Sequence, residues 1–256
     1  MPSTDGTTVE LTRNGEIGVL TLNSPPVGAL STPLVTDLLA AIAEARAKPP
    51  AVLLIRSGLD GCFCAGAELK ELGGADTRTF VSYVGGIRGG FDEIENLGFP
   101  TIAAIDGAAL GGGLELALAC DLIFAGPKAK MGLPEVRLGI LPGAGGTQRL
   151  PRRIGAARAK DLMLSGRQID AVEADRIGLA ISSPAGAFEA ATQWAEGYLK
   201  NSTMAGNAIL GCVEATFDED RETGRQLELS EIERLYEDGD ARERIASFIE
   251  SRKKRD

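Results

Sequence analysis

The stretch from Thr101 to Cys120 leaves a folding chain few options. Thr101 to Ile105 is an almost wholly apolar run of strand length, Gly107 to Gly113 is a glycine-rich turn, and Leu114, Leu116, Ala117, Leu118, Ala119 and Cys120 are apolar on every side of a helix. A strand covered on both faces and a helix apolar all round both belong inside a protein, so the rest of the chain has to wrap around this unit. One residue breaks the pattern, Glu115. A lone buried carboxylate is costly to ionise, and a chain keeps one mainly where chemistry uses it. Gly111, Gly112 and Gly113 stand just before it. Glycines that open a helix let a ligand approach the backbone and aim unpaired N–H donors at developing negative charge.

The residue counts narrow that chemistry. The 256-residue chain contains no histidine, so a Ser-His-Asp or Cys-His set and a His-ligated metal are both excluded. General acid and base work then falls to carboxylates, with Lys, Tyr or Cys as lesser candidates. The four cysteines, Cys62, Cys64, Cys120 and Cys212, contain no C-x-x-C pair and read as reduced thiols, Cys64 as a small buried hydrophobe. A net charge of −9 disfavours nonspecific binding to nucleic acid or an anionic membrane. With 44% apolar and 25% charged residues the composition is that of a folded globular chain. Met1 to Asp5 lacks the basic and apolar regions of a signal peptide, no segment has the apolar length of a membrane span, and a cytoplasmic protein is expected.

Taken in order, Val9 to Arg13 and Glu16 to Leu22 flank Asn14-Gly15, the signal of a hairpin with a type I′ turn. Ser31 or Thr32 caps a helix with the apolar face Leu34, Val35, Leu38, Leu39 and Ile42, which Pro49-Pro50 ends. Ala51 to Ile55 reads as a buried strand that delivers the Cys62 to Leu69 loop. Phe80, Val84, Ile87, Phe91 and Ile94 recur at helical spacing between Thr77 and Leu97. Leu122 to Ala125 and Ala129 to Met131 are short strands, and Pro134 stops regular structure immediately before a second acid, Glu135. Beyond Arg149 the chain is mostly helical: Asp170 with Glu173 resembles a capping box, and stretches near 205–217, 221–237 and 240–253 are charged helices with no strand signal. Arg149, Arg152, Arg153 and Arg158 read as a solvated basic helix face. Strands separated by helices predict a mixed α/β architecture. A doubly wound nucleotide-binding sheet is compatible with that composition, but neither a GxGxxG nor a Gly-Lys phosphate loop is present.

Three segments carry a resemblance. ALGGGLELALACD, then GLPEVRLGILPGAGGTQRL, and upstream Phe63-Cys64-Ala65-Gly66-Ala67-Glu68-Leu69 occur in the order found in the enoyl-CoA hydratase/isomerase (crotonase) family, and the similarity covers essentially the whole chain. The resemblance implies an α/β fold, a spiral of β-β-α repeats over residues 1–199, with a C-terminal helical region at 200–256 that builds a homotrimer or a hexamer of paired trimers. The sequence itself displays no obvious repeat motif. The resemblance also implies the site. Matching the motifs residue by residue puts the two oxyanion-hole amides at Ala67 and Gly112, and makes Glu115 and Glu135 the two catalytic carboxylates. Glu115 would activate the water that attacks C3, while a protonated Glu135 would deliver a proton to C2. Acyl-CoA contacts are implied at Ala65, Ala67, Leu69, Lys70, Gly112 and Phe248, with Arg252, Lys253 and Lys254 near the coenzyme A phosphates; for Lys70 and the tail cations a solvated surface charge is the alternative. Where the family often has Asp and Asn, this chain has Glu68 and Gly28.

The function implied is hydration of a trans-2-enoyl-CoA to a 3-hydroxyacyl-CoA, of the fatty-acid β-oxidation type, with no metal and no cofactor beyond the coenzyme A of the substrate. An enoyl-CoA isomerase or another crotonase-type acyl-CoA lyase is the alternative within the family, and the presence of both acids favours hydration. A noncatalytic RNA-binding module is the alternative of another class, and the net charge with only 5% aromatic residues counts against it.

Overall fold

The computed structural model describes residues 8–253, so Lys254 and the first five residues of the chain lie outside the described residues. The chain forms two compact units, one ending at Ala195 and the other starting at Glu196.

The first unit begins with strands β1 (Val9–Asn14) and β2 (Ile17–Leu22), paired antiparallel with Asn14 opposite Ile17. The two turn residues are therefore Gly15 and Glu16. Gly15 has φ +60° and among the described residues only glycines have positive φ, whereas a type I′ turn needs positive φ at both central positions. The Asn14-Gly15 signal marked a real hairpin, but the register places Asn14 in the strand.

A short strand β3 (Ala29–Leu30) then leads into α1 (Thr32–Ala47), which Ser31 caps by accepting a bond from the Leu34 amide at 3.4 Å. The same sequence of strand, short strand and helix recurs three times. First come β4 (Val52–Ser57), β5 (Cys62–Cys64) and β6 (Gly66–Ala67) with α2 (Leu69–Leu72) and α3 (Thr77–Glu95). Next are β7 (Thr101–Ile105) and β8 (Ala108–Leu110) with α4 (Gly112–Leu118). Then follow β9 (Leu122–Ala125) and β10 (Lys130–Gly132) with a 3-10 turn at Glu135–Leu138 and α5 (Gly146–Ile154). The long strands β2, β4, β7 and β9 lie side by side and parallel in one six-stranded sheet, while β5, β8 and β10 lie side by side and parallel in a second, four-stranded one. This is the expected β-β-α spiral. Each turn uses different side chains at equivalent places, which is why no repeat is visible in the sequence.

The remaining elements of this unit are α6 (Ala156–Ser165), β11 (Ile169–Asp170), α7 (Ala171–Ile177), β12 (Ile181–Ser182) and α8 (Ala187–Tyr198), the last running across the boundary between the units. Asp170 caps α7 by accepting from the Glu173 amide at 2.9 Å, but the return bond of a capping box is replaced: the Glu173 carboxylate is taken by Arg167.

The helix that carries Glu115 is where the sequence placed it. Val52 to Ile55, Thr101 to Ile105 and Gly113 to Leu118 are all buried, Glu115 included at 3% exposure. α4 lies so close to β5 that a Cβ on Gly113 would stand 2.0 Å from the Cys64 carbonyl oxygen. Only glycine permits that approach. Cys64 is fully buried, and burial pushes its thiol up to about 12, so it is a neutral packing group.

The second unit contains α9 (Thr203–Asp218), α10 (Arg221–Glu237) and α11 (Ala241–Lys253), close to the three expected helices. Among them only Ala208 and Ala215 of α9 are buried, while Ile209, Val213, Leu229, Ile232 and Ile245 are half or more exposed. Among the described residues no helix is long and apolar enough to cross a membrane.

Candidate active site

The turns of the spiral bring three separated segments to one place. A cavity of about 650 Å³ is lined by Ala65, Gly66 and Ala67 from the second turn, Gly111, Gly112 and Glu115 from the third, and Pro134, Glu135 and Ala144 from the fourth. This lies within the range of small-molecule sites. Its outer walls are apolar: Phe80, Val81, Val84 and Ile87 from α3 on one side, Leu138, Ile140 and Leu141 on another. The helical spacing of α3 was legible in the sequence, but its role as a cavity wall was not.

The two carboxylates are held in opposite ways. Glu115 Oε1 accepts two backbone hydrogen bonds of 2.8 Å, from the amides of Ala144 and Gly146. Burial pushes its pKa above the ordinary carboxylate value, and those two amides and the charge of Arg149 pull against it. Glu135 begins the 3-10 turn after Pro134, and its Oε2 is buried with no hydrogen-bond partner. Burial pushes Glu135 up to about 7, its own backbone amide opposes that rise, and the negative charge of Glu115 adds to it. Its Oε1 lies over the glycine turn, since a Cβ on Gly111 would stand 2.9 Å from it. Both acids are raised by burial, but only Glu115 has hydrogen bonds and a cation that favour its charged form, while Glu135 retains a proton up to about neutral pH.

The proposed donors adjoin them. Gly112 is the first residue of α4, so its amide has no acceptor within the helix. Ala67 ends β6, and a Cβ on Gly112 would lie 3.9 Å from the Ala67 nitrogen. Ala67 and Gly112, from different turns of the spiral, therefore line the same cavity as the two acids.

Of the expected contact residues, Ala65, Ala67, Leu69 and Gly112 line the cavity. Lys70 does not; it is an exposed residue of α2, next to the half-exposed Leu69. Phe248 belongs to α11 of the second unit and is 58% exposed, with the Arg252 guanidinium 4.7 Å above its ring. The two departures from the family pattern are accommodated locally. Gly28 has φ +63°, in the left-handed region that Asn also tolerates, and Glu68 caps α2 by accepting from the Lys70 amide at 3.2 Å.

The reading of Arg149 as a solvated charge is corrected. It is 7% exposed, donates to the Ala144 carbonyl at 3.0 Å, and pairs with Asp92 and Glu95 of α3 at 2.6 Å each. The amphipathic helix that carries it turns this arginine inward, and Arg153, half-buried, also leaves the expected solvated face to donate to the Leu118 carbonyl at 3.3 Å, directions that a run of basic residues does not reveal.

The chain is similar to known proteins along most of its length. The family model for enoyl-CoA hydratase/isomerase matches residues 12–255. A protein of Rhizobium meliloti described as a probable enoyl-CoA hydratase is 39% identical over 247 residues, 93% of each chain. A probable mitochondrial enoyl-CoA hydratase 2 of Arabidopsis thaliana is 44% identical over 79% of this chain and 68% of its own length. Among solved structures, an enoyl-CoA hydratase of Bacillus anthracis superposes with a TM-score of 0.90 at 35% identity, covering 95% of this chain and 96% of that one.

Proposed function

From the premise that the chain belongs to the enoyl-CoA hydratase/isomerase family, we propose that it hydrates a trans-2-enoyl-CoA to a 3-hydroxyacyl-CoA, as a step of fatty-acid breakdown. The observation that carries the reading is the pairing of two acids in one cavity, Glu115 anchored by two amides and Glu135 unpartnered at Oε2 with its pKa near 7.

In this mechanism the thioester oxygen lies between the amides of Ala67 and Gly112. Glu115 takes a proton from water as the water oxygen bonds to C3. The electrons of the double bond move through C2 to the thioester oxygen, and the two donors stabilise the enolate that results. Glu135 then gives its proton to C2 as the enolate collapses. No proton is gained or lost overall, since Glu115 ends protonated and Glu135 ionised, and exchange with water restores both. The apolar walls from α3 and the Leu138–Leu141 segment take the acyl chain, and Lys70 at the exposed edge of α2 meets the coenzyme A phosphates. Support for an oligomer comes from α9 to α11, which leave large apolar side chains in water; a trimer, or a pair of trimers, covers them and brings Phe248 of α11 to coenzyme A.

The test is a series of trans-2-enoyl-CoA esters of increasing chain length, followed by loss of the absorbance of the conjugated thioester. Hydration with a clear optimum in length is expected. Turnover of 3-enoyl-CoA esters alone would replace the reading with isomerisation.

A further inference from the structure

We propose that Arg149 is a positioning residue for Glu115: from a buried site it fixes the loop whose amides hold the carboxylate, and its charge sets how readily that carboxylate ionises. The inference rests on the reading of Glu115 as the water-activating base.

The geometry forms one connected chain. Glu115 Oε1 accepts from the Ala144 and Gly146 amides at 2.8 Å; the carbonyl of the same Ala144 accepts from Arg149 Nη1 at 3.0 Å. The other end of the guanidinium is bound to α3, through Nη2 to Asp92 at 2.6 Å and through Nε and Nη2 to Glu95 at 3.2 and 2.6 Å. The loop is shaped around the arginine. Gly145 has φ +110°, and a Cβ there would stand 2.0 Å from Nη1. One side chain thus ties together the base's loop and the helix that forms the acyl wall. A planar fork suits this, because its donors diverge toward three acceptors at once.

Arg149 keeps its charge in this place. Burial works against it, but the bonds to Glu95 and Asp92 outweigh the burial. The charged and titratable groups around Glu115 come from few elements. The elements packed against α4 carry Arg149, Arg152 and Arg153 on α5, Arg78, Tyr83, Arg88, Asp92, Glu93 and Glu95 on α3, and Cys62 and Cys64 on β5, with Glu135 on the 3-10 turn facing the same cavity. Arg153 bonds the Leu118 carbonyl at the far end of α4. Arg88 lies 3.8 Å from Asp92. Cys64 is neutral at working pH, and burial pushes Tyr83 above its ordinary value, so it is neutral too. Burial raises the pKa of Glu115, and among these charges Arg149 is the one that opposes the rise, with Asp92 and Glu95 muting the arginine.

Two variants that loosen the same clamp move the chemistry in opposite directions, which a purely structural role cannot do. Arg149→Gln removes the positive charge and leaves two carboxylates. The acid limb of the kcat/KM profile is expected to move up by about half a pH unit, with kcat down about ten- to a hundredfold from the misplaced base and KM within about threefold. The pair Asp92→Asn with Glu95→Gln leaves the positive charge unopposed, and the acid limb is expected to move down by a similar amount. Thermal melts run alongside. Limbs that stay at the wild-type pH in both proteins, with rate losses that follow lost stability, overturn the proposal. Should Arg149→Gln not fold, the carboxylate pair decides alone: a lowered limb supports the coupling and an unmoved one refutes it. A wild-type chain that hydrates no enoyl-CoA removes the base reading and this inference with it. An active wild type with unmoved limbs removes this inference only.

Discussion

Glu135→Gln is expected to make the protein more stable above neutral pH while destroying its activity. The carboxyl of Glu135 goes from an ordinary 4.5 to about 7 in the fold, with burial as the main cause. The difference, 7 − 4.5 = 2.5 units, corresponds at about 1.4 kcal/mol per unit to about 3.5 kcal/mol of cost for charging the folded group. Glu135 is only partly buried, so solvent screening reduces this to about 1.5 kcal/mol. The sign follows from proton counting. Between pH 4.5 and 7 the folded state holds a proton that the unfolded chain has released, so the stability contributed by this group is complete below about 4.5 and is lost as pH rises through about 7. Glutamine never charges and escapes that loss.

Thermal unfolding of both proteins at pH 5 and pH 8.5 checks this. At pH 5 the two are expected to melt within a degree or so of each other. At pH 8.5 the glutamine protein is expected to melt about 3–6 °C higher, from 2–4 °C per kcal/mol for a chain of this size. Hydration is expected to fall by about a hundredfold to ten-thousandfold at every pH, the range for loss of a general acid. Equal melting differences at the two pH values would refute the claim that Glu135 bears a buried charge. An active enzyme without that proton would refute its catalytic role. Such a trade of stability for activity marks a site built for chemistry.

Glu115→Gln is expected to cost a similar factor in hydration of 2-enoyl-CoA yet to spare double-bond migration in a 3-enoyl-CoA, measured by the appearance of conjugated thioester; equal losses in both reactions would place Glu115 in each. Gly113→Ala, whose Cβ would lie 2.0 Å from the Cys64 carbonyl, is expected to lose about 3 kcal/mol or more of stability in denaturant titrations, and a loss below about 1 kcal/mol would show that α4 and β5 can move apart freely. The full chain is expected to sediment as a trimer or hexamer, and a chain ending at Lys200 as smaller species; a full-length monomer at micromolar concentration would refute the oligomer.

What the sequence revealed and what it hid divide along a physical line. Buried periodicity is local, so the strand Thr101–Ile105, the apolar helix with Glu115 and the spacing of Phe80, Val84 and Ile87 could all be read from neighbours in the chain. The two-acid site was legible only because its residues stand in short ordered motifs around backbone turns, where glycine at a fixed offset has a steric meaning. What could not be read depends on which way a polar side chain turns once distant segments meet. Asn14-Gly15 has the composition of a I′ turn, but the strand register moved the turn on by one residue. Glu173 has the spacing of a capping box, but Arg167 competes for its carboxylate with two short bonds. Arg149 sits in a basic run whose neighbours suggest a wet surface, and its inward direction is set by Asp92 and Glu95, more than fifty residues earlier in the chain. A buried cation needs its partners already in place, and those partners come from a different turn of the spiral. Arg149 is therefore paired only where α3 and α5 meet, and the same contact carries the loop that holds Glu115. The setting of Glu115 is thus assembled by long-range packing, although the residue itself announces its place in the sequence.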